Sequence, residues 1–275
     1  MRLPVPTPPE FDALAQREVI VDGARIAYTE AGDGPPVLLL HGAVFGGNVF
    51  WWETQQALAP HVRTIAPDFI GWGASDKPRA PYTLDTYRAF ISGFLDALGL
   101  DQVVIAGHSM GGILGSAYAL LHPERVSRLF LLAVPPAWAD FELPNLFRPF
   151  LTPLLGELIM FSTPYFGTEN PLGIRRFYES LFHDPRRIAP DRMRSMLHAC
   201  CAATAEPAHR EAFLNTIRSI RGEAADQLRS ELREHLPRFE RPTRLLAGMQ
   251  DPLFPLSVIQ AGAAMLPGAK LDVLD

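Results

Sequence analysis

The strongest chemical signal in the sequence is the pentapeptide Gly107-His108-Ser109-Met110-Gly111, which lies between a short apolar run and a helical pattern. It fits the G-x-S-x-G pattern, in which a sharp strand-to-helix turn holds a serine hydroxyl above a sheet. Such a turn needs small residues two positions on either side of the serine, as found here. The pattern predicts that Ser109 is a nucleophile. The alternative is a glycine-rich turn whose serine only caps the helix.

A second motif, His41-Gly42-Ala43, directly follows the apolar run at 37–40. A serine nucleophile needs N–H donors that hold the negative charge developing on the attacked carbonyl oxygen. The position of this motif resembles that of the oxyanion loop in α/β-hydrolases, and this resemblance implies that the N–H groups of Ala43 and Met110 form the oxyanion hole, helped by the helix N-terminus at Ser109. The residues predicted to support this geometry are His41, Gly42, Gly107 and Gly111.

The elements that must position these motifs alternate along the first 134 residues. Short β-rich runs predict strands, Asp22-Gly23 predicts a hairpin turn, and helical spacing predicts helices at 84–98 and 109–121. The predicted strands are 19–21, 26–28, 36–40, 62–66, 103–106 and 129–134. This alternation is typical of an α/β fold with a mostly parallel central sheet flanked by helices.

The alternation stops at Pro135, and the sequence to about Phe239 becomes helical and proline-punctuated. This change predicts an inserted helical cap domain. Strand character returns at 243–247, and a helix at 257–265 and a last strand at 271–274 follow. We therefore predict a first core part at 1–134, a cap at 135–239 and a second core part at 240–275.

Three segments together resemble the α/β-hydrolase superfamily over essentially the whole chain. They are HGAVFGG at 41–47, DFIGWGASDKP at 68–78 and GHSMGG at 107–112, in the order and at the intervals of that family. The resemblance is to the capped branch with carboxylesterases, carbon–carbon bond hydrolases and epoxide hydrolases. Asp68 and Asp76 in the middle segment are interpreted as structural, turn-forming carboxylates.

The resemblance implies an acid that orients a catalytic histidine, in the chain order serine, acid, histidine. Asp251 follows the strand that resumes after the cap, which is the usual position of the acid in this family. It is our predicted catalytic acid, although Asp-Pro is also a common surface turn. Asp140 is the fallback, because some relatives take their acid from that region.

Family members carry the histidine after the final strand, but no histidine follows His235 in this sequence. We expect the chain to be truncated, lacking the histidine loop and last helix, with weak turnover and a last strand exposed near the sheet edge. His108 is interpreted as a packing residue and His41 as a brace of its loop, while His183 and His198 lie in the predicted cap, from which they could overhang the site. Surface positions are expected for the remaining histidines, His61, His122, His209 and His235.

Composition excludes several other functions. The formal net charge is −5 with scattered basic residues, which argues against nucleic acid or an anionic membrane as partner. The sequence has no uncharged apolar run of membrane-spanning length, and its start lacks the pattern of a secretory signal. Its two cysteines, Cys200 and Cys201, are adjacent, which favours the cytoplasm. The segment Gly71-Trp72-Gly73 lacks the third glycine of the G-x-G-x-x-G pattern that binds dinucleotides, which argues against a dinucleotide-binding oxidoreductase.

We therefore expect a hydrolase of a small-molecule ester or related acyl substrate that works through a serine acyl-enzyme and needs neither cofactor nor metal. Carbon–carbon bond hydrolysis on the same scaffold is the alternative. Epoxide hydrolysis and dehalogenation are disfavoured, because relatives that perform them use aspartate where this chain has Ser109. A third possibility is a small-molecule-binding protein that has lost catalysis. Neither the substrate nor the oligomeric state follows from the sequence.

Overall fold

The computed structural model describes residues 14–43, 47–166 and 174–275. The proline-rich start of the chain and positions 44–46 of the HGAVFGG segment therefore lie outside the described residues. The strands are β1 (Ala15–Val21), β2 (Ala24–Ala31), β3 (Pro36–Leu40), β4 (Arg63–Pro67), β5 (Val103–His108), β6 (Val126–Leu132), β7 (Thr243–Gly248) and β8 (Lys270–Leu274).

These eight strands form one mostly parallel sheet. Their order is β1-β2-β4-β3-β5-β6-β7-β8, with β1 antiparallel to β2, β2 antiparallel to β4 and the other neighbours parallel. The strand β3 is central and buried over Val37–Leu40, as expected for a continuous apolar strand covered on both faces. Because parallel strands share one carboxyl edge, the loops after β3, β5 and β7 converge there.

Helices cover both faces of the sheet and fill the segment between β6 and β7. They are α1 (Gly47–Leu58), α2 (Leu84–Ala97), α3 (Met110–Leu121), α4 (Arg148–Leu151), α5 (Leu155–Phe166), α6 (Ile174–Glu179), α7 (Pro190–Ala205), α8 (Pro207–Ser219), α9 (Glu223–His235) and α10 (Leu256–Ala264). Thr83 caps the N-terminus of α2 in a capping box with Thr86. Among the described helices, none is long and apolar enough to cross a membrane.

The helices α4–α9 form the inserted cap, confirming the predicted fold class. Helices α7 and α8 both contact the core: α7 through an ion pair between Arg192 and Glu53 of α1, and α8 against the loop after β4, where Phe213 packs on Trp72. The domain boundaries at 134 and 239 stay a prediction. Cys200 and Cys201 lie on α7 as free thiols, the first of them buried.

Several strand predictions were wrong at their ends. The first two strands are longer than predicted, at Ala15–Val21 and Ala24–Ala31 instead of 19–21 and 26–28. The sixth strand spans Val126–Leu132, not 129–134, because Ala133 takes a φ of 49° that ends the extended conformation. Its first residues include the polar Ser127 and Arg128 and therefore lack a continuous apolar run. The fifth strand extends to His108, so that it ends directly at the serine. The last strand, β8, lies at the sheet edge with Leu274 exposed.

Candidate active site

Ser109 occupies a strained turn between β5 and α3. Its φ of 51° and ψ of −122° belong to a region that residues with a side chain rarely adopt. The backbone around it holds this conformation: the Ser109 N–H donates to the Leu132 carbonyl at 3.2 Å, and its own carbonyl accepts from Gly112 and Ile113 at 2.9 and 3.1 Å. The side chain is partly exposed. A strained, accessible serine at a helix N-terminus is the geometry of a nucleophile turn.

Both glycines of the motif are required by close backbone packing. A Cβ atom at Gly107 would lie 2.4 Å from the Gly111 carbonyl oxygen, and one at Gly111 would lie 2.3 Å from the Leu40 carbonyl oxygen. Neither distance is compatible with a side chain. The first turn of α3 therefore sits directly against the ends of β3 and β5, which brings Ser109 to the carboxyl edge of the sheet.

The loop after β3 lies next to Ser109, as predicted for an oxyanion loop. A Cβ atom at Gly42 would come within 3.2 Å of the Ser109 Cβ. Ala43 is buried beside it, and Met110 begins α3, where the first N–H groups have no acceptor within the helix. The structure thus brings together the loop and the helix start whose N–H groups are predicted to hold an oxyanion.

His41 braces this loop and is not available as a base. Its Nε2 accepts from the Phe69 N–H at 3.0 Å, so the ring proton lies on Nδ1, which donates to the Gly42 carbonyl at 2.8 Å. The ring is fully buried, and this burial lowers its pKa to about 4. His41 is therefore a neutral ring with both nitrogens engaged.

His108 packs beside the same loop. Its ring stacks on Phe50 of α1 with a centroid distance of 4.3 Å, and its Nδ1 would lie 3.1 Å from a Cβ atom at Gly42. This agrees with its interpretation as a packing residue. Within the described ranges, neither His41 nor His108 hydrogen-bonds to the Ser109 hydroxyl.

Asp251 follows β7 at the same carboxyl edge as Ser109. Its Oδ1 accepts from the N–H groups of Leu253 and Phe254 at 2.8 and 3.0 Å, which fixes the carboxylate. One strand, β6, separates β7 from β5, so the two strand ends are roughly 10 Å apart. This spacing leaves room for a group between the two strand ends, as an orienting acid requires, and the role of Asp251 stays a prediction.

Asp140, the fallback acid, is engaged elsewhere. Its side chain is 81% exposed and pairs with Arg233 of α9 at 2.7 Å. The same arginine donates to the Trp138 carbonyl. Asp140 therefore helps to seat α9 on the loop after β6, and the geometry favours Asp251 over it.

The two aspartates of the loop after β4 have structural contacts. Asp68 is buried and its Oδ2 accepts from the Ala74 N–H at 2.7 Å, while Asp76 accepts from the Arg25 N–H at 2.8 Å. A Cβ atom at Gly73 would lie 2.1 Å from the Asp68 carboxylate. These bonds close the loop on itself and onto β2, as expected for turn-forming carboxylates.

One histidine prediction was wrong, because His209 is buried, with 4% of its surface exposed. It lies on α8, and its ring meets the Trp72 ring edge-on at 5.1 Å. At this position α8 faces the core, which the local sequence does not indicate. His61, His183 and His198 are exposed, while His122 and His235 are half-buried.

The two buried histidines predict a loss of stability in weak acid. Burial, with the nearby Lys77 charge, lowers the pKa of His209 to about 3, and burial lowers that of His41 to about 4. The unfolded chain therefore binds more protons below the ordinary histidine pKa of about 6.5, and the free energy of unfolding falls as the pH drops from there. At about pH 4.5 the expected loss is on the order of 2–3 kcal/mol per group, before most carboxylates titrate.

Urea unfolding between about pH 7 and 4.5 gives the free energy of unfolding at each pH. In His209→Gln this free energy should fall less steeply with decreasing pH than in the native protein. His61→Gln, at an exposed position, is the matched control and should keep the native slope. An unchanged slope in His209→Gln would show that His209 is protonated in the folded protein.

Residues 35–275 match the sequence profile of the α/β-hydrolase fold family. An uncharacterized protein of Mycobacterium tuberculosis is 30% identical over 268 residues, which cover 93% of this chain and 73% of that protein. A 2-hydroxymuconate semialdehyde hydrolase of Pseudomonas putida is 28% identical over 266 residues, which cover 94% of this chain and 85% of that protein. The structure of a meta-cleavage product hydrolase from Pseudomonas fluorescens superposes with a TM-score of 0.73 at 26% identity. The superposition covers 94% of this chain and 88% of that protein. Haloalkane dehalogenases are among the other matches.

Proposed function

Because this chain belongs to the α/β-hydrolase fold family, we propose that it hydrolyses small carbonyl substrates with Ser109 as the nucleophile. The observation that carries this proposal is the conformation of Ser109, with its φ of 51° and ψ of −122°. A serine that only capped a helix would have no reason to hold this strain, whereas a nucleophile gains an exposed hydroxyl above the sheet.

In the proposed reaction, the Ser109 oxygen bonds to the substrate carbonyl carbon as the hydroxyl proton passes to a water molecule, because among the described residues no histidine hydrogen-bonds to the Ser109 hydroxyl. The N–H groups of Ala43 and Met110 stabilise the resulting oxyanion, and removing one such donor typically costs on the order of 10²–10³ in rate. The leaving alcohol takes a proton and departs, and water then cleaves the acyl-enzyme to release the acid and restore Ser109. Asp251 is assigned to orient the proton-accepting group.

We assign esters, or similarly activated acyl compounds, as the first substrate class. Hydrolysis of a carbon–carbon bond is the second candidate, and it is favoured by a specific observation: the relative named as a 2-hydroxymuconate semialdehyde hydrolase aligns over nearly the whole of both chains. The serine at position 109 argues against halide displacement and epoxide opening, for which aspartate is the nucleophile in this family.

The two candidates are separated by direct assay of the purified protein. We expect p-nitrophenyl butyrate to be hydrolysed, and the same activity to disappear in Ser109→Ala. If 2-hydroxymuconate semialdehyde is cleaved with the higher kcat/KM, the carbon–carbon bond hydrolase assignment replaces the ester assignment. Binding of these compounds without Ser109-dependent turnover of either would contradict both and indicate a binding protein.

A further inference from the structure

A chain of buried hydrogen bonds joins cap helix α8 to the loop after β4. The Trp72 Nε1–H donates to the Tyr87 hydroxyl oxygen at 2.7 Å, the Tyr87 hydroxyl lies 2.7 Å from the Thr216 Oγ1, and Thr216 donates to the Ala212 carbonyl at 2.7 Å. The Trp72, Tyr87 and Thr216 side chains are fully buried. These hydrogen bonds therefore link three elements: the loop after β4, α2 and cap helix α8.

The donor and the acceptor of each of these three hydrogen bonds are fixed. An indole N–H can only donate, so the Tyr87 oxygen accepts from Trp72. Thr216 uses its own hydrogen on the Ala212 carbonyl, so the Tyr87 hydrogen points to the Thr216 oxygen. Each donor has one acceptor, and in surroundings without water the loss of one partner leaves a buried polar group unsatisfied.

Trp72, at one end of these hydrogen bonds, packs against His41, the residue that holds the oxyanion loop in place. The Trp72 ring lies edge-on to the His41 ring with centroids 5.9 Å apart, and Phe69 contacts both the His41 ring at 4.6 Å and the Tyr87 ring at 5.3 Å. His41 in turn binds the Phe69 N–H and the Gly42 carbonyl. The position of Gly42, and of Ala43 after it, thus depends on rings that Tyr87 holds.

We propose that Tyr87 is a positioning residue for the proposed reaction: it holds Trp72 against His41, and through Thr216 it couples the placement of the oxyanion loop to cap helix α8. The cap helix is then part of the structure that sets the distance between the Ala43 N–H and the Ser109 oxygen. This inference rests on the proposed function for its kinetic consequence, but the coupling itself is independent of turnover.

Tyr87→Phe is expected to lower kcat for p-nitrophenyl butyrate by about 10–10²-fold with little change in KM, because a displaced donor weakens binding of the transition state more than that of the substrate. Tyr82→Phe is the matched control. Tyr82 is equally buried, stands five residues earlier and donates to the Pro78 carbonyl at 2.6 Å, but it lies outside the hydrogen-bond chain. Its removal should change kcat little.

Thr216 supplies a second pair of variants. Thr216→Ser keeps a hydroxyl and should behave as the native protein, whereas Thr216→Val keeps the shape and should reproduce the effect of Tyr87→Phe. A purely structural role would lower the unfolding temperature in Tyr87→Phe and Tyr82→Phe alike, without a selective fall in kcat.

Amide hydrogen exchange of the folded protein tests the coupling without any substrate. Faster exchange at 41–43 and 69–72 in Tyr87→Phe and Thr216→Val, but not in Tyr82→Phe or Thr216→Ser, is the expected result. Unchanged exchange in these segments in Tyr87→Phe overturns the proposal, whatever the activity. If exchange changes as expected while Ser109→Ala keeps full turnover, the coupling stands and the proposed function fails.

Discussion

Ser109→Ala is expected to abolish the acyl-enzyme that mass spectrometry detects after mixing with p-nitrophenyl butyrate, the largest effect on the reaction of any single substitution considered. The reason is the loss of the attacking oxygen itself. The backbone bonds that hold the turn come from the N–H and carbonyl of Ser109 and survive the change. The unfolding temperature should therefore stay near that of the native protein, and both quantities are measured on the same preparation.

Ser116→Ala is the matched control for this result. Ser116 lies two turns later in α3, is fully buried, donates to the Ile113 carbonyl at 3.0 Å and accepts from the Ala137 N–H at 2.9 Å. Ser116→Ala should lower the free energy of unfolding by about 1 kcal/mol and change kcat little. The two substitutions thus have opposite signatures, and an active Ser109→Ala would refute Ser109 as the nucleophile.

Gly111→Ala is expected to produce the largest loss of stability. The added Cβ would lie 2.3 Å from the Leu40 carbonyl oxygen and 2.6 Å from that of His41. These are backbone atoms at the end of β3, which cannot move aside as a flexible side chain does. Overpacking of this kind typically costs about 1–3 kcal/mol, and relief by a shift of β3 would displace the oxyanion loop. Stability and kcat should therefore fall together.

Gly115→Ala, one turn later in the same helix, is the control for this substitution. Its Cβ would meet only side-chain atoms, the Ile105 Cγ2 at 2.9 Å and the Leu40 Cδ1 at 3.1 Å. Alanine also favours a helix over glycine by roughly 0.5–1 kcal/mol, which offsets the crowding. Urea unfolding should separate the two variants, and equal stability would contradict the close approach of α3 to β3.

The turn at Ser109 could be predicted because its determinants are local. A buried strand, small residues at 107 and 111 and a following helix all lie within a few positions of the serine. The same holds for the loop after β3 and for the bracing role of His41. The predicted fold class followed from the alternation of strand and helix patterns, which the sheet order now confirms.

The contacts between cap and core could not be predicted, because they join residues far apart in the sequence. Tyr87 and Thr216 are separated by 129 positions, and Tyr87 has the spacing of an ordinary core residue of α2. The burial of His209 likewise depends on Trp72, which lies on the loop after β4. The sequence contains no local signal for either pairing.

The choice between Asp251 and Asp140 shows the same limit. Both follow a predicted strand, and local sequence ranks them only through family resemblance. The ion pair with Arg233, a residue 93 positions away, engages Asp140 on the surface. Asp251 instead lies at the carboxyl edge with its carboxylate fixed by backbone N–H groups.

Labelling with a fluorophosphonate, followed by peptide mass mapping, tests the nucleophile most directly. Phosphonylation requires an activated serine oxygen and N–H donors placed for a tetrahedral centre, so it reports on the turn and the oxyanion hole together. The predicted result is a single adduct on the peptide that contains Ser109, absent from Ser109→Ala. An adduct on another serine that persists in Ser109→Ala would contradict the assignment.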